Sequence, residues 1–215
     1  MEITYLGHSA FLIKCGKVTV ITDPFDESVG FPFKKIEANI VTVSHHHYDH
    51  DATSLISGEP LILDMAGEYE KDEVRITGWE TFHDESNGSE RGKNIVFKIE
   101  YNGVSVLHLG DLGHLLTSDM IEEIGVVDVL LTPIGGVFTI NSDLATKIVS
   151  KIEPSYVIPM HFRTSSHSES FAQMSTEESF LQKMGAATVV ASESLKLTTS
   201  SEEKGDTQVI LLQKA

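Results

Sequence analysis

Four histidines and two aspartates fall within the stretch Val43-Ser44-His45-His46-His47-Tyr48-Asp49-His50-Asp51. Imidazole is the commonest protein metal ligand, and carboxylate is a good partner for a hard or borderline cation. An ion of the Zn²⁺ type takes about three or four such groups at roughly 2.0–2.2 Å. The cluster is internal and broken by Tyr48 and Asp49, which separates it from a terminal tag. It follows the apolar run Ile40-Val41-Thr42-Val43, which reads as a buried strand. A loop leaving a strand end can turn neighbouring side chains toward one point, which a straight strand cannot do.

The same geometry recurs along the chain. Val74 to Phe82 reads as a strand and ends on His83-Asp84. Asn94 to Tyr101 and Val104 to Leu109 flank Asn102-Gly103, the strongest hairpin signal present, and the second strand runs into Gly110-Asp111-Leu112-Gly113-His114. Tyr156 to Met160 is a strand followed by His161. At the N-terminus, Glu2–Leu6, Ala10–Ile13 and Val18–Ile21 read as a β-meander that stops at Asp23-Pro24, where proline cannot continue the ladder. His8 lies between the first two strands, either as a turn residue or as a polar group at the mouth of a site. His114 either reaches the site rim or hydrogen-bonds a loop. His108, inside a strand, reads as a core histidine, and His167, in a Ser-rich loop, as a solvated one.

The remaining elements form the scaffold. Ala52–Ile56 suggests a short helix, and Pro60–Leu63 a strand. Ser118 is expected to cap a helix through Ile124, and Ser142-Asp143 to open one with Leu144, Ile148, Val149 and Ile152 on one face. Ser175-x-x-Glu178 reads as a capping box. Val126–Leu131, Thr188–Val190, Leu195–Leu197 and Gln208–Leu212 are expected strands, and Thr199–Asp206 a polar turn. Phe25–Lys35, with three phenylalanines, reads as a loop with an apolar underside. The loop 85–93 borders the histidine-bearing strand end, and Arg91 within it is an anion-contact candidate.

Totals bound the function. The chain has 215 residues, with 40% hydrophobic and 22% charged, which suits one globular domain. The formal net charge of −16 disfavours nucleic acid and anionic lipid surfaces, whose recognition rests on Lys and Arg. The expected partner is a small-molecule substrate. No apolar run reaches the ~20 residues of a membrane span, and Met1-Glu2-Ile3-Thr4 lacks the pattern of a signal peptide, so a cytoplasmic location is expected. One cysteine, Cys15, forms no intrachain disulfide.

His45-x-His47-x-Asp49-His50 matches the H-x-H-x-D-H signature of the metallo-β-lactamase-fold superfamily, and the chain resembles that family over most of its length. The resemblance implies an α+β fold, a four-layer αβ/βα sandwich formed by residues 1–215 as a single domain, with metals at the sheet edge. It implies that His45, His47 and His83 hold one ion, that Asp49, His50 and His161 hold another, and that Asp111 bridges them. The implied cofactor is two divalent metal ions, Zn²⁺ or alternatively Mn²⁺. Gly7-His8-Ser9, Asp23-Pro24, Gly67-Glu68-Tyr69 and Pro133-Ile134-Gly135-Gly136 resemble the ascorbate-6-phosphate lactonase-like branch. The implied activity is hydrolysis of a small ester, lactone or phosphoester by a metal-bound hydroxide, with Asp49 as the catalytic carboxylate that orients it and shuttles its proton. His8 and His114 are the substrate-side candidates. Fold alone does not fix reaction. A mononuclear-iron enzyme of sulfur or oxygen redox chemistry, and a metal-binding regulatory protein without turnover, are the competing readings.

Overall fold

The computed structural model describes residues 1–198 and 205–215. Most of the expected Thr199–Asp206 turn lies outside them. The first sheet is built from β1 (Glu2–Gly7), β2 (Ala10–Cys15) and β3 (Val18–Thr22). A ribbon of β4 (Ile36–Glu37) and β6 (Ile56–Ser57) encloses β5 (Ile40–Thr42), which is followed by β7 (Leu61–Leu63). The second sheet collects β8 (Gly67–Lys71), β9 (Val74–Phe82), β10 (Lys93–Tyr101), β11 (Val104–His108), β12 (Val129–Pro133) and β13 (Tyr156–Met160). Helices α1 (Ser118–Ile124), α2 (Ser142–Ile152) and α3 (Glu178–Lys183) are the α-helices among the described residues. Two short strands, β14 (Leu195–Lys196) and β15 (Gln208–Val209), close the edges.

The sheet orders are β14-β1-β2-β3-β5-β7 and β15-β13-β12-β11-β10-β9-β8. Alternation within a strand sends side chains to opposite faces. In β12, Val129 and Leu131 face the first sheet while Leu130 faces the helices; in β13, Ile158 and Val157 divide the same way. The inter-sheet core contains Phe11, Ile13, Phe97, Ile99 and Met160. Each such large side chain, when fully buried, contributes about 1.5–3 kcal/mol. All three helices pack on the second sheet, whose outer layer includes Ile124, Ala145, Ile148 and Phe180. The first sheet is covered differently. Its outer face carries the β4–β6 ribbon through Ile36 and Ile56, with Phe33 beside them. The sandwich is therefore the expected one, with one outer layer made of ribbon, loop and 3₁₀ turns.

Several local expectations shift. Thr117, not Ser118, caps α1, its side chain accepting from Met120 N, and Asn141 caps α2. The Ser175/Glu178 box does not form: α3 starts at Glu178 behind Glu177, with no side-chain cap. Thr188–Val190 is β-branched but pairs with no strand among the described residues, and Val190 is exposed. The short helix after the histidine cluster is a 3₁₀ turn, Thr53–Leu55.

Strand direction positions the site. β1, β3 and β5 run the same way, as β2 is antiparallel to both β1 and β3 and β3 is parallel to β5. β9, β11 and β13 also share a direction. His8, Asp23, the histidine cluster, His83, Asp111 and His161 all follow the C-terminal ends of these six strands. Two hydrogen bonds lace the sheets at this edge: Ile95 N to Ser44 O (2.8 Å) and His161 N to His8 O (2.9 Å). No helix among the described residues is long and apolar enough to cross a membrane.

Candidate metal centre

Seven of the expected residues converge. His45, His47 and His83 bring one ligand atom each within 4.8 Å of one another, and so do Asp49, His50 and His161, together with His8. Asp111 lies between the two groups. Its Oδ2 is 3.3 Å from His50 Nε2, 3.4 Å from His83 Nε2, 3.2 Å from His161 Nε2 and 4.0 Å from His45 Nε2. All of these side chains are buried except His47, which is exposed to the cleft.

The turn that carries Asp111 is held by Asn94. Asn94 Oδ1 accepts Asp111 N (2.8 Å), while its amide donates to Leu109 O (3.0 Å) and Thr81 Oγ1 (2.8 Å). Gly110 has φ +54°, and a Cβ there would run into Asn94 and Ser44. Gly135 is needed for close approach: its Cβ would overlap the carbonyl oxygen of His161.

Proton bookkeeping fixes which ring atoms face the centre. Asp23 accepts Ser44 N (2.7 Å) and Ser44 Oγ (2.6 Å). Since the Ser44 hydroxyl hydrogen goes to Asp23, its contact with His45 Nδ1 (2.9 Å) requires the imidazole to donate. Asp23 also accepts a hydrogen bond from His50 Nδ1 (3.0 Å). With both Nδ1 protons committed, neutral His45 and His50 present bare Nε2 lone pairs toward a carboxylate oxygen. A second chain runs through His8. The backbone N–H of Thr164 donates to His167 Nδ1 (3.1 Å), so His167 Nε2 carries the hydrogen and donates to His8 Nδ1 (3.3 Å). His8 Nε2 then donates to Asp49 Oδ2 (3.1 Å). That proton removes His8 from the set of lone-pair donors.

The result is a knot of unpartnered polar atoms. His45 Nε2, His50 Nε2, His83 Nδ1, both ring nitrogens of His161 and Asp111 Oδ1 are buried without a hydrogen bond. An orphaned buried group costs about 1–3 kcal/mol, so a cluster of them at one point calls for a cation. Imidazole lone pairs converging on carboxylates fit a divalent metal, and metal binding needs these histidines neutral. Burial, reinforced by the charge of His50, lowers His45 to about 2. Burial and the neighbouring His161 lower His8 to about 3, against the pull of Asp49. Burial also works to lower His50, but Asp111, Asp49 and Asp23 outweigh it and hold that ring well above its usual value.

The substrate-side expectations change. His8 is fully buried beneath Asp49 and positions that carboxylate; it does not line the cleft. His114 is turned away: its Nε2 accepts Phe82 N (3.1 Å) and its Nδ1 donates to Leu115 O (2.9 Å), pinning the end of β9. His108 is a core histidine, bonded to Ser9 O and Gly110 N. His167 is not solvated; it is buried against Phe31 and Phe171. Asp23 is the supporting residue the sequence reading missed. Its only signal was an aspartate at the end of a buried strand. A cavity of about 540 Å³ opens over the centre, lined by His47, Asp49, His83, Asp111, Arg91 and Phe138 among others.

This chain belongs to the β-lactamase superfamily, whose domain model matches residues 2–161. It is a metal-dependent hydrolase of that superfamily. A UPF0173 metal-dependent hydrolase from Carboxydothermus hydrogenoformans is 31% identical over 195 residues, spanning 76% of this chain and 85% of the relative. Among solved structures, a candidate Zn-dependent hydrolase of the metallo-β-lactamase superfamily from Thermotoga maritima superposes with a TM-score of 0.77 at 35% identity, over 99% of each chain. A metallo hydrolase from Ignicoccus hospitalis shares the fold, with a TM-score of 0.64 at 20% identity, over 92% of this chain and 99% of the other.

Proposed function

We propose that the chain is a dinuclear hydrolase of small esters, lactones or phosphoesters. His45, His47 and His83 would hold one ion and Asp49, His50 and His161 the other, with Asp111 between them. The imidazole-rich donor set suits Zn²⁺, with Mn²⁺ as the alternative. The observation that carries this reading is the convergence of the buried Nε2 atoms of His45 and His50 on Asp111, with both Nδ1 atoms already engaged by Ser44 and Asp23. Held by these residues, divalent ions would supply Lewis-acid polarisation of a carbonyl or phosphoryl oxygen and acidify a bound water.

The chain's own residues supply the rest. Asp23 fixes the tautomer of His50 directly and that of His45 through Ser44. Asp49 is the carboxylate placed to take and hand on a proton, since it lines the cavity. Burial works to raise its pKa, but His50 and His8 outweigh it and keep the group ionised. Phe138 and Phe171 form an apolar wall of the cavity and limit water on that side.

The test is metal content by inductively coupled plasma mass spectrometry on untagged protein purified without added metal, followed by a screen of lactones, esters and phosphodiesters. About two equivalents of zinc or manganese, with turnover lost in Asp49→Ala, is the expected outcome. One equivalent of iron would replace this reading with redox chemistry. Hydrolysis surviving in Asp49→Ala would remove Asp49 from the reaction.

A further inference from the structure

Arg91 lines the cavity over the centre and also the adjoining cavity of about 660 Å³ beside His45 and His46. Its guanidinium lies 5.2 Å from the centroid of the Phe138 ring, and its Nη2 donates to Val137 O (3.0 Å). Phe138 in turn stands edge-on to His161, with centroids 6.5 Å apart, so one aromatic ring separates the guanidinium from the candidate metal centre. The sequence carries 32 acidic residues against 16 basic ones, yet among the described residues no carboxylate pairs with this guanidinium. Asp84, in the same loop, is fully engaged: it accepts the backbone N–H groups of Ser86, Gly88, Glu90 and Arg91 itself. Those bonds fix the loop and leave the guanidinium with one carbonyl and one ring as its partners. The other cation of the adjoining cavity, Lys93, is paired to Glu80 at 2.8 Å.

Resting on the hydrolase reading above, we infer that Arg91 is the specificity residue of the cleft and that the substrate is an ester or lactone bearing an oxyanion, carboxylate or phosphate, away from the bond that is cut. A guanidinium presents a planar fork of donors that suits either group, and an aromatic face beneath it holds the fork in place. An unpaired cation at the mouth of an acidic protein offsets the repulsion an anionic substrate meets on approach. The Val137 carbonyl leaves most of the guanidinium donors open to the cavity.

Two measurements test this on metal-loaded protein. In the first, mono-4-nitrophenyl glutarate is compared with its methyl ester, the same molecule with the charge removed. Wild type is expected to favour the charged ester at least about tenfold in kcat/KM, the strength of a charge-assisted hydrogen bond. Arg91→Met removes that preference by lowering kcat/KM for the charged ester about tenfold more than for the neutral one, at unchanged metal content; Arg91→Lys restores part of it. A purely structural role would lower both esters together. In the second, calorimetry follows benzenesulfonate, a weak metal ligand, whose binding is expected to weaken about tenfold or more in Arg91→Met. Competition by glutarate against glycerol 3-phosphate separates carboxylate from phosphate as the preferred group. Turnover of the neutral ester with no preference for the charged one, or sulfonate binding indifferent to Arg91, overturns the anion subsite and leaves the hydrolase standing. Arg91-dependent sulfonate binding with no hydrolysis of either ester keeps the subsite and overturns the hydrolase.

Discussion

The two halves of the proposed centre differ in what stands behind them. The half made by His45, His47 and His83 is partly open, and His47 is exposed to the cleft with no hydrogen bond fixing its ring among the contacts described above. The half made by Asp49, His50 and His161 is buried, and two of its three groups are backed by another residue: Asp23 behind His50, and His8 and His167 behind Asp49. Supporting partners of this kind set the tautomer and orientation of a ligand and raise its affinity. The closed half is therefore preorganised for a tightly held ion, and the open half for one that exchanges with solvent.

The largest effect expected is on the residue common to both halves. Asp111→Asn should drop metal content from about two equivalents to below one and abolish hydrolysis, because it removes the charge that both sides share. Retention of two ions would show that Asp111 does not lie between them. The halves are then separated by His47→Ala and Asp23→Ala. Stepwise chelation should show one weakened ion in His47→Ala, with the other unchanged. Asp23→Ala, which removes the direct partner of His50 and reaches His45 only through Ser44, should weaken the closed half by about 10–100-fold and the open half less. Equal losses in both variants would erase the distinction between open and closed.

A smaller effect sharpens the same contrast without metal. Burial, with the charges of His161 and Arg163, lowers His167 to about 4, below its ordinary value of 6.5. The unfolded chain then binds a proton between these pH values that the folded chain does not, so stability falls as pH drops from about 6.5 to about 4. The slope from this one group is at most about 1.4 kcal/mol per pH unit. Metal-free His167→Gln should denature in urea with a shallower dependence on pH over that window. An unchanged slope would mean that His167 is already protonated in the fold.

Much of this was legible in the sequence because strand ends are. The apolar runs before His45, His83 and His161 are long enough to read, and Asn102-Gly103 fixed the pairing that delivers Asp111. Asp23 was hidden because an aspartate before proline reads first as a strand stop. Its role follows only from the sheet order, which sets β3 beside β5 and so beside Ser44 and His50. His167 misled because serines around it suggested solvent, whereas the Phe25–Lys35 loop folds Phe31 over it. His8 and His114, both substrate-side candidates, were misplaced for a similar reason: spacing shows nearness to a ligand, but the direction of a ring is decided by the groups that need it, Asp49 for His8 and the backbone of Phe82 and Leu115 for His114. Thr188–Val190 failed as a strand because β-propensity does not provide a partner.

His8, Asp23 and His161 share one more property: their φ angles are +54°, +38° and +49°. Left-handed backbone is unfavourable for side-chain-bearing residues and comfortable for glycine. Three positions at the heart of the centre thus carry backbone strain that only their side chains can justify. Glycine would relieve the backbone there but orphan the buried groups that Asp23 and His8 now satisfy, so a directed-evolution campaign that rewarded heat resistance alone would find little to gain at those two sites and more at His161, whose ring nitrogens have no partner. The same campaign run under a demand for turnover would hold His161 fixed as well and look for its gains elsewhere.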